Sequence, residues 1–418
     1  MNDGNVFSLH TPAKDALTEL VKDGAKQILA QAIEAEVAAF LASHAATKTA
    51  EGKRAVVRNG YLPERTIQTG IGEVDVQVPK VRDRSGSGFK FNSKLVPPYL
   101  KRSKTVEDFI PWLYLRGVST GDMQPTLEAL LGKDAKGLSA NTVSRLKVQW
   151  ERQYDAWKSR DLGKRRYVYV WVDGIYCNVR LDDKLCLLVV MGSDDTGRKE
   201  LLAVADGYRE NEASWTDVLN QLESQGLVKP PKLAIGDGAL GFWKALAKKW
   251  PTTQAQRCWV HKTANILNKA PKSVQPRMKE ALQDIWMAET QDQAYKAFDA
   301  FEKRYSVKYP KAAECLKKDR ENLLAFYSFP AEHWAHIRTT NPIESLFATV
   351  RLRTAKVKNC GSRKTTLAMV FKLAITAEKK WRRLKGYKLL ADVIEGIPFK
   401  DGIRTEQDHQ QSAAVHQI

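Results

Sequence analysis

An acid inside an apolar, strand-forming stretch is the feature that most constrains how this chain folds. Residues Tyr167–Tyr176 read YVYVWVDGIY, and β-branched and aromatic residues nearly throughout predict a β-strand. Asp173 interrupts that strand. Removing a carboxylate from water costs free energy unless a cation or hydrogen bonds compensate, so the fold must bring such groups to Asp173.

The segments around this strand predict a mixed sheet. The turn sequences LDDK and DDTG separate the first three strands, which are Tyr167–Arg180, Leu185–Met191 and Glu200–Ala205. Strands joined by such short turns must be antiparallel. A helix over Ser214–Leu227 then leads to a short strand at 232–238, and TTQAQRCWV at 252–260 is a fifth strand candidate. The order predicts an α/β fold with a ribonuclease-H-like mixed sheet.

The charge balance predicts a polyanionic partner. The 418 residues include 67 Lys and Arg against 48 Asp and Glu, a net charge of +19. Such an excess favours DNA or RNA, and a generically basic protein is the alternative. Five scattered cysteines form no disulfide framework, and no apolar run approaches the roughly 20 residues of a membrane span. We therefore expect a cytoplasmic protein without membrane contact.

The segment Lys104–Trp150 predicts three short helices that resemble a helix-turn-helix. Its last helix, ANTVSRLKVQW, presents Asn141, Thr142, Arg145 and Lys147 on one polar face. In a helix-turn-helix the last helix enters the major groove, so these four residues are candidates for DNA contact. A three-helix packing unit with a solvated polar face is the alternative.

Two further acids are candidates to join Asp173. Asp237 ends the fourth predicted strand, and parallel neighbouring strands place it at the same sheet edge as Asp173. Glu344 lies in TTNPIESLFATVRLR. By itself it fits a capping box, with Asn341 as the N-cap and Glu344 at N3. In company with the other two acids, we prefer a metal-binding role. Three carboxylates suit Mg²⁺, and two such ions about 4 Å apart promote in-line phosphoryl transfer.

A basic segment follows Glu344. Arg351 lies about two helical turns beyond Glu344 and so on roughly the same face. With Arg353, Lys356 and Lys358 it is expected to hold DNA backbone phosphates.

Four motifs in order make the pattern specific: VDGIY at 172–176, IGDG at 235–238, RCWVH at 257–261 and NPIES at 341–345. Together they resemble the signature of the mutator-type transposases of bacterial insertion sequences. The order matches the DDE pattern of that family, including a helical insertion before the glutamate. The resemblance extends from the N-terminal region to about Tyr387.

The resemblance implies a Mg²⁺-dependent DNA strand transferase, with Mn²⁺ as a substitute metal. Asp173, Asp237 and Glu344 would be its metal-binding catalytic acids. Its partners would be double-stranded DNA, as the terminal inverted repeats of its element and as target, and at least one further copy of the chain. It would act in the bacterial cytoplasm, at the nucleoid. A ribonuclease-H-like nuclease that only hydrolyses and a non-catalytic DNA-binding regulator are the rival interpretations.

Two aromatic or sulfur-containing motifs are auxiliary candidates. Cys258 and His261 match the family's C-x-x-H element, and we expect a structural or phosphate-positioning role beside the active site. Half a zinc site, completed by His333 and His336, is the alternative. Trp334 is a candidate for stacking on a DNA base, with packing against the helical insertion as its alternative.

These features predict six segments along the chain. They are a helical and small-β region at 1–100, a candidate for dimerisation and DNA contact; a helix-turn-helix domain at 101–160; the first part of the catalytic core at 161–262; an all-α insertion at 263–336; the second part of the core at 337–400; and a disordered tail at 401–418.

Overall fold

The structure is a computed structural model. It describes residues 16–119, 121–131, 140–179, 182–238, 240–356 and 362–405, without the side chains at 140–144, 182–183, 240 and 355–356. The chain divides into two compact units, Met1–Ser144 and Arg145–Ile418.

The first unit begins with a long helix and two small antiparallel sheets. These elements are α1 (Ala16–Ser43), β1 (Val56–Tyr61), β2 (Arg65–Thr69), β3 (Gly72–Val76) and β4 (Pro79–Asp83), with β1 paired to β4 and β2 to β3. Ile33 of α1 packs in one apolar cluster with Ile67 and Val74. The first half of α1 instead exposes Leu20 and Ile28, so burial holds only the second half of the helix.

The helices predicted for Lys104–Trp150 are present, but the last one is longer than expected. They are α2 (Lys104–Leu115), α3 (Met123–Leu131) and α4 (Ala140–Lys158). The second half of α4 belongs to the other unit, where Trp150 and Tyr154 are buried. The hydroxyl of Tyr154 donates to the carbonyl of Val204 at 2.7 Å.

A five-stranded mixed sheet organises the second unit. Its strands are β5 (Tyr167–Val179), β6 (Asp182–Asp194), β7 (Lys199–Gly207), β8 (Leu233–Gly236) and β9 (Gln254–Arg257), in the order β7-β6-β5-β8-β9. β6 is antiparallel to β5 and β7, whereas β8 and β9 run parallel to β5. The Asp194 carboxylate closes the turn after β6 by accepting from the backbone of Thr196 and Arg198. The predicted mixed sheet, with its first three strands antiparallel, is confirmed.

Helices cover the sheet through a large apolar core. Helix α5 (Glu212–Ser224) and α6 (Leu240–Lys249) follow β7 and β8. Trp215 of α5 meets Phe242 of α6 edge to face, with ring centroids 5.1 Å apart. Both rings share a buried cluster with Val170 and Val172 of β5. This core makes β5 a rigid support for Asp173.

Helices also make up the segment predicted as an insertion. The remaining helices are α7 (Trp259–Leu267), α8 (Gln275–Met287), α9 (Gln291–Tyr305), α10 (Pro310–Lys317), α11 (Arg320–Leu324), α12 (Trp334–Ile337), α13 (Asn341–Lys356), α14 (Arg363–Glu378) and α15 (Leu390–Glu395). Every residue from 263 to 336 is described, and none of them lies in a strand. Among the described residues, no helix is both long and apolar enough to cross a membrane.

The start of the predicted disordered tail is ordered. A small hairpin joins β10 (Phe399–Lys400) to β11 (Ile403–Arg404). Gly402 donates its N–H to the carbonyl of Tyr327 and accepts from the N–H of Ala331. These backbone bonds correct the prediction of disorder for 401–405, while residues 406–418 lie outside the described part of the chain.

Candidate active site

The register of two parallel strands brings Asp173 and Asp237 to the same place. Val172 of β5 pairs with Gly236 of β8, and each aspartate is the next residue along its chain. Because paired parallel strands advance together, the two acids lie side by side. The sheet therefore brings these two residues together, as the strand order predicted.

Asp173 has too little positive charge around it. Its carboxylate accepts the N–H of Gly174 at 2.8 Å. Burial raises the pKa of Asp173 to about 7, and the negative charges of Glu210 and Asp237 add to that effect, whereas His261 and the Gly174 bond oppose it. The carboxylate is thus costly to ionise, because burial outweighs the groups that favour its charged form.

Glu210 is a half-buried acid near this edge that the sequence analysis did not identify. A Cβ placed on Gly174 would lie 2.0 Å from Glu210 Oε1 and 2.4 Å from its Cδ, so the carboxylate of Glu210 covers the residue that follows Asp173. Burial and the charge of Asp237 raise the pKa of Glu210, and His261 opposes them. The one signal in the sequence was Gly174 itself, since a glycine beside an acid leaves room for a close neighbour.

Backbone contacts fix the turn that carries Asp237. Its carboxylate accepts the N–H of Gly238 at 2.5 Å. Its carbonyl oxygen accepts from Trp243 Nε1 at 2.8 Å and from Arg257 Nη1 at 2.9 Å. The guanidinium of Arg257 lies over the Trp243 ring at 4.5 Å, and its Nε is 3.5 Å from a carboxylate oxygen of Asp319.

Cys258 and His261 begin a helix rather than end a strand. β9 stops at Arg257, and Cys258 is the N-cap of α7. The N–H of Cys258 donates to the carbonyl of Gly236 at 2.8 Å, which ties the start of α7 to the end of β8. The predicted fifth strand is therefore too long, because the chain turns into α7 at this point. Residues three apart on a helix share a face, so both side chains point to the same side.

Thr340 joins this pair to Glu344. Its side chain is fully buried. The Oγ1 atom lies 3.3 Å from Cys258 Sγ, 3.3 Å from His261 Nδ1 and 3.2 Å from Glu344 Oε1. The backbone N–H of Thr340 also donates to Cys258 Sγ at 3.3 Å. One hydroxyl therefore contacts all three of these candidate side chains.

Glu344 does not form the capping box that its sequence context suggested. Helix α13 begins at Asn341, and the N–H of Asn341 lies 3.4 Å from Thr339 Oγ1. The carboxylate of Glu344 accepts from the Thr340 hydroxyl and is 3.9 Å from His261 Nδ1. Its contacts thus lead to the Cys258 and His261 pair, away from the helix cap.

His261 carries the positive charge of the site. Its hydrogen bond with Cys258 raises its pKa to about 9, burial opposes that shift, and the charges of Cys258, Asp237 and Asp173 favour it. The raised pKa favours the imidazolium form of His261, which offsets part of the negative charge of the two aspartates.

Among the described residues, one group has three metal-ligating side chains in mutual reach. It consists of Cys258, His261 and Glu344, whose ligand atoms all lie within 4.8 Å of one another. The two histidines considered for a zinc site are engaged elsewhere. His333 contacts the Tyr169 hydroxyl and the Gly386 carbonyl, at 2.8 and 2.9 Å, and His336 Nε2 accepts the N–H of Lys385.

The basic residues after Glu344 differ in exposure. Arg351 is exposed, with its guanidinium 5.9 Å from the centre of the Phe347 ring. Arg353 is only 2% exposed. This corrects the expectation that Arg353 holds DNA phosphates, because a guanidinium beneath the surface does not meet a phosphate. The side chain of Lys356 and the whole of Lys358 lie outside the described residues.

The Trp334 ring packs against other aromatic side chains, as the alternative to DNA stacking predicts. It meets Phe326 and Tyr327 edge to face, with centroids 5.2 and 4.9 Å away. Its Nε1 donates to the carbonyl of Phe329 at 2.8 Å. Stacking on a DNA base stays a prediction for the half-buried ring.

The candidate recognition helix is described in part. On α4, Arg145 is exposed and Lys147 is half-buried. The side chains of Asn141 and Thr142 lie outside the described residues, so their DNA contacts stay predictions.

Comparisons with known proteins agree on one family. The family model described as "Transposase, Mutator family" matches residues 6–384. A transposase of insertion sequence element IS6120 from Mycolicibacterium smegmatis is 50% identical over 71% of this chain and 92% of its own. One for IST2 from Acidithiobacillus ferrooxidans is 50% identical over 70% of this chain and 100% of its own.

A more distant relative covers more of the chain. A transposase for IS905 from Lactococcus lactis is 28% identical over 92% of this chain and 96% of its own. Among solved structures, the Drosophila P element transposase strand transfer complex matches 69% of this chain and 84% of its own. Its TM-score is 0.30 at 10% identity, a likeness too weak to bear on the fold. The match to the family model and the two relatives at 50% identity show that this chain belongs to the Mutator family of transposases.

Proposed function

We propose that this chain binds the terminal inverted repeats of an insertion sequence and catalyses metal-dependent DNA strand cleavage and strand transfer by a DDE mechanism. Asp173, Asp237 and Glu344 are its three acids. The observation that carries the proposal is the pairing of Val172 with Gly236, which sets two aspartates side by side. An edge built of carboxylates suits phosphoryl transfer because that chemistry relies on positioning and charge neutralisation.

The residues at this edge fit a hard divalent cation such as Mg²⁺ or Mn²⁺. Asp173 and Asp237 offer carboxylate oxygens, the ligands that Mg²⁺ prefers, and burial makes Asp173 costly to ionise without a cation. When bound, the metal supplies charge stabilisation at the attacking and leaving oxygens. Asp173 and Asp237 hold it, and His261 neutralises part of the remaining charge beside them.

Glu344 completes the set from the helical side. Helix α13 packs against β5, so the acid approaches the same strand that carries Asp173. Its carboxylate contacts the Thr340 hydroxyl and lies 3.9 Å from His261 Nδ1. We propose that it turns from these partners to the metal once DNA and metal are bound.

The proposed core is ribonuclease-H-like. Support comes from the strand order β7-β6-β5-β8-β9, from the three antiparallel strands that precede the parallel pair, and from the helical insertion before Glu344. The first acid on the central strand and the second at the end of its parallel neighbour are the arrangement that this fold requires of a DDE enzyme.

DNA binding draws on the net charge of +19. Arg351 and Arg145 are exposed and available to phosphates, and the helices α2 to α4 are the proposed helix-turn-helix. Because two element ends must be joined, the working complex contains at least two copies of the chain.

The test uses the DNA that flanks the coding region, where imperfect inverted repeats identify the substrate. A labelled duplex of one repeat is incubated with protein and Mg²⁺, and nicking is followed on a denaturing gel. Asp173→Asn abolishes nicking but leaves the mobility shift of the duplex unchanged. Asp195→Asn, at an exposed turn, retains both.

Each outcome separates the proposal from its rivals. Nicking by the Asp173→Asn variant contradicts the catalytic assignment. Binding without nicking by the native protein, under every metal condition, supports a regulator instead. A nuclease that only hydrolyses cuts the repeat but never joins it to another DNA.

A further inference from the structure

We propose that Cys258, His261 and Glu344 form a second metal site, which binds the thiophilic cation Zn²⁺ rather than Mg²⁺. The three side chains come from the start of α7 and from the first turn of α13. Zn²⁺ binding at this site is independent of the proposed function, whereas its effect on DNA cleavage rests on that function.

The three ligand atoms lie close to the spacing of a tetrahedral zinc shell. They are all within 4.8 Å of one another, and His261 Nδ1 is 3.9 Å from Glu344 Oε1. Zinc bonds of about 2.3 Å to sulfur and about 2.0–2.1 Å to nitrogen or oxygen put neighbouring ligand atoms about 3.4 to 3.6 Å apart. Side-chain shifts of about 1 Å therefore bring all three atoms to one ion.

Backbone hydrogen bonds hold the two ligand-bearing segments in this relation. The N–H of Trp259 donates to the carbonyl of Arg338 at 3.0 Å, and the N–H of Glu344 donates to the carbonyl of Thr340 at 3.0 Å. The first bond fixes the chain beside Cys258, and the second fixes the turn that carries the carboxylate. Ligands on such supported backbone are positioned before an ion binds.

The sulfur of Cys258 has the surroundings of a metal-bound thiolate. Cys258 is 1% exposed, and its Sγ accepts from the N–H and the hydroxyl of Thr340, both at 3.3 Å. Neighbouring groups commonly donate such hydrogen bonds to metal ligands. The side chains of His261 and Glu344 are 30% and 33% exposed. An ion therefore enters from solvent on their side and meets the sulfur at the bottom of the site.

The donor set separates this site from the edge that carries Asp173 and Asp237. A thiolate, an imidazole and a carboxylate suit Zn²⁺, whereas carboxylates alone suit Mg²⁺. On binding, the thiol and the imidazolium release their protons to solvent, and water takes the fourth position. Zn²⁺ then holds Glu344 beside Cys258 and His261, so this carboxylate cannot join the two aspartates. We therefore expect Zn²⁺ to inhibit Mg²⁺-dependent cleavage.

The binding experiment uses Co²⁺ as a spectroscopic substitute for Zn²⁺. Co²⁺ is titrated into the full-length protein, and coordination by a thiolate appears as a charge-transfer band in the near ultraviolet. We expect the native protein to show this band and Zn²⁺ to remove it by displacement. Cys258→Ser should lose the band. Cys315→Ser is the matched control, at a partly exposed free cysteine of α10, and should keep it.

A second variant leaves the buried cysteine unchanged. Glu344→Gln keeps the thiol and the imidazole, so the band should remain, but Co²⁺ binding should weaken at least roughly tenfold. Glu314→Gln, at an exposed position, should bind Co²⁺ as the native protein does, and circular dichroism should show that all variants are folded. A native protein without the band at saturating Co²⁺, or Cys258→Ser with the native band, would overturn the inference.

A cleavage assay separates this inference from the proposed function. Zn²⁺ added to Mg²⁺ should slow nicking of a repeat duplex at least roughly tenfold in the native protein and in Cys315→Ser. Cys258→Ser should nick at its own Mg²⁺ rate with or without Zn²⁺, and equal slowing of this variant would place the inhibition elsewhere. A native protein that shows the band but never nicks DNA contradicts the proposed function alone. Nicking by a native protein that lacks the band contradicts the zinc site alone.

Discussion

Two neighbouring regions of the molecule give their acidic side chains opposite surroundings. At the edge of β5 and β8, Asp173 is buried with backbone contacts and other acids, so its pKa rises to about 7. At the start of α7 and α13, Glu344 lies within reach of a hydroxyl and an imidazole, at 3.2 and 3.9 Å. In the first region burial outweighs the compensating charge of His261, whereas in the second region a hydroxyl and an imidazole contact the carboxylate.

The difference indicates which region is built for a ligand. A buried acid without a compensating partner lowers stability, and such strain is retained where function needs it. A satisfied network instead holds a side chain in place. The edge of β5 and β8 (the strand edge) is therefore the metal site that we propose, and the start of α7 and α13 (the helical corner) holds Glu344. Each of the following variants removes a side-chain group from one of these regions.

The largest effect is expected at the strand edge. Asp237→Asn should lower the rate of strand cleavage by roughly 10³-fold, since a metal ligand stabilises transition-state charge by several kcal/mol. Single-turnover cleavage of a repeat duplex measures the loss. The exposed Asp195→Asn should cleave normally, and a comparable loss in that control would point to a general effect of removing acids.

In EDTA, ionisation of the Asp173 carboxyl should lower the free energy of unfolding. The pKa of Asp173 is about 7 in the fold against a model value of 3.8, a difference worth on the order of 4 kcal/mol. Since the folded pKa is the higher one, stability falls as pH rises from about 4 to 7 and stays low above that. Asp173→Asn should remove the loss.

Urea unfolding in EDTA at pH 4.5 and pH 8 measures this effect. The variant should be more stable than the native protein at pH 8, by up to roughly 4 kcal/mol, and this gain should shrink to about 1 kcal/mol at pH 4.5. An equal gain at both pH values would show that ionisation of Asp173 is not the cause.

A smaller effect is expected at the helical corner. Thr340→Val keeps the shape of the buried side chain but removes the hydroxyl that contacts Cys258, His261 and Glu344. Losing such a supporting contact should lower cleavage by roughly 10- to 100-fold. Thr340→Ser restores the hydroxyl and should restore most of the rate.

A second readout separates positioning from simple destabilisation. The imidazole resonances of His261, followed by NMR over pH 6–10, should titrate differently in Thr340→Val than in Thr340→Ser. An unchanged cleavage rate in the valine variant would mean that the hydroxyl does not position Glu344.

The smallest effect concerns the DNA contact beyond this corner. Arg351→Ala removes an exposed guanidinium and should weaken DNA binding several-fold, with the salt dependence reduced by about one charge. Arg353→Ala removes a buried one and should lower thermal stability instead. Fluorescence anisotropy over 50–200 mM salt distinguishes them, and equal salt slopes for the native protein and Arg351→Ala would exclude a phosphate contact.

The sequence predicted the strand edge because strand patterns are local. The apolar run at Tyr167–Tyr176 and the turn sequences after it define three antiparallel strands, and IGDG marks the end of a parallel neighbour. The position of Asp237 beside Asp173 follows from that order. The mixed sheet was predictable for the same reason.

The helical corner was not predictable in its contacts. Thr340 meets Cys258 across 82 residues of chain, and no local pattern specifies which hydroxyl bridges two distant motifs. Glu210 was missed for a similar reason, because its approach to Gly174 depends on the path between β7 and α5. The prediction of disorder for 401–405 was also wrong, because polar composition does not indicate the backbone hydrogen bonds that Gly402 makes.

The most direct measurement of the central claim is strand joining. A repeat duplex that ends in a free 3′-OH is mixed with supercoiled plasmid, protein and Mg²⁺, and joined product is counted by sequencing the junctions. The account predicts joining by the native protein and by Asp195→Asn, and none by Asp173→Asn, although all three bind the duplex equally. Joining by Asp173→Asn at the native level would contradict the claim that the edge of β5 and β8 carries the chemistry.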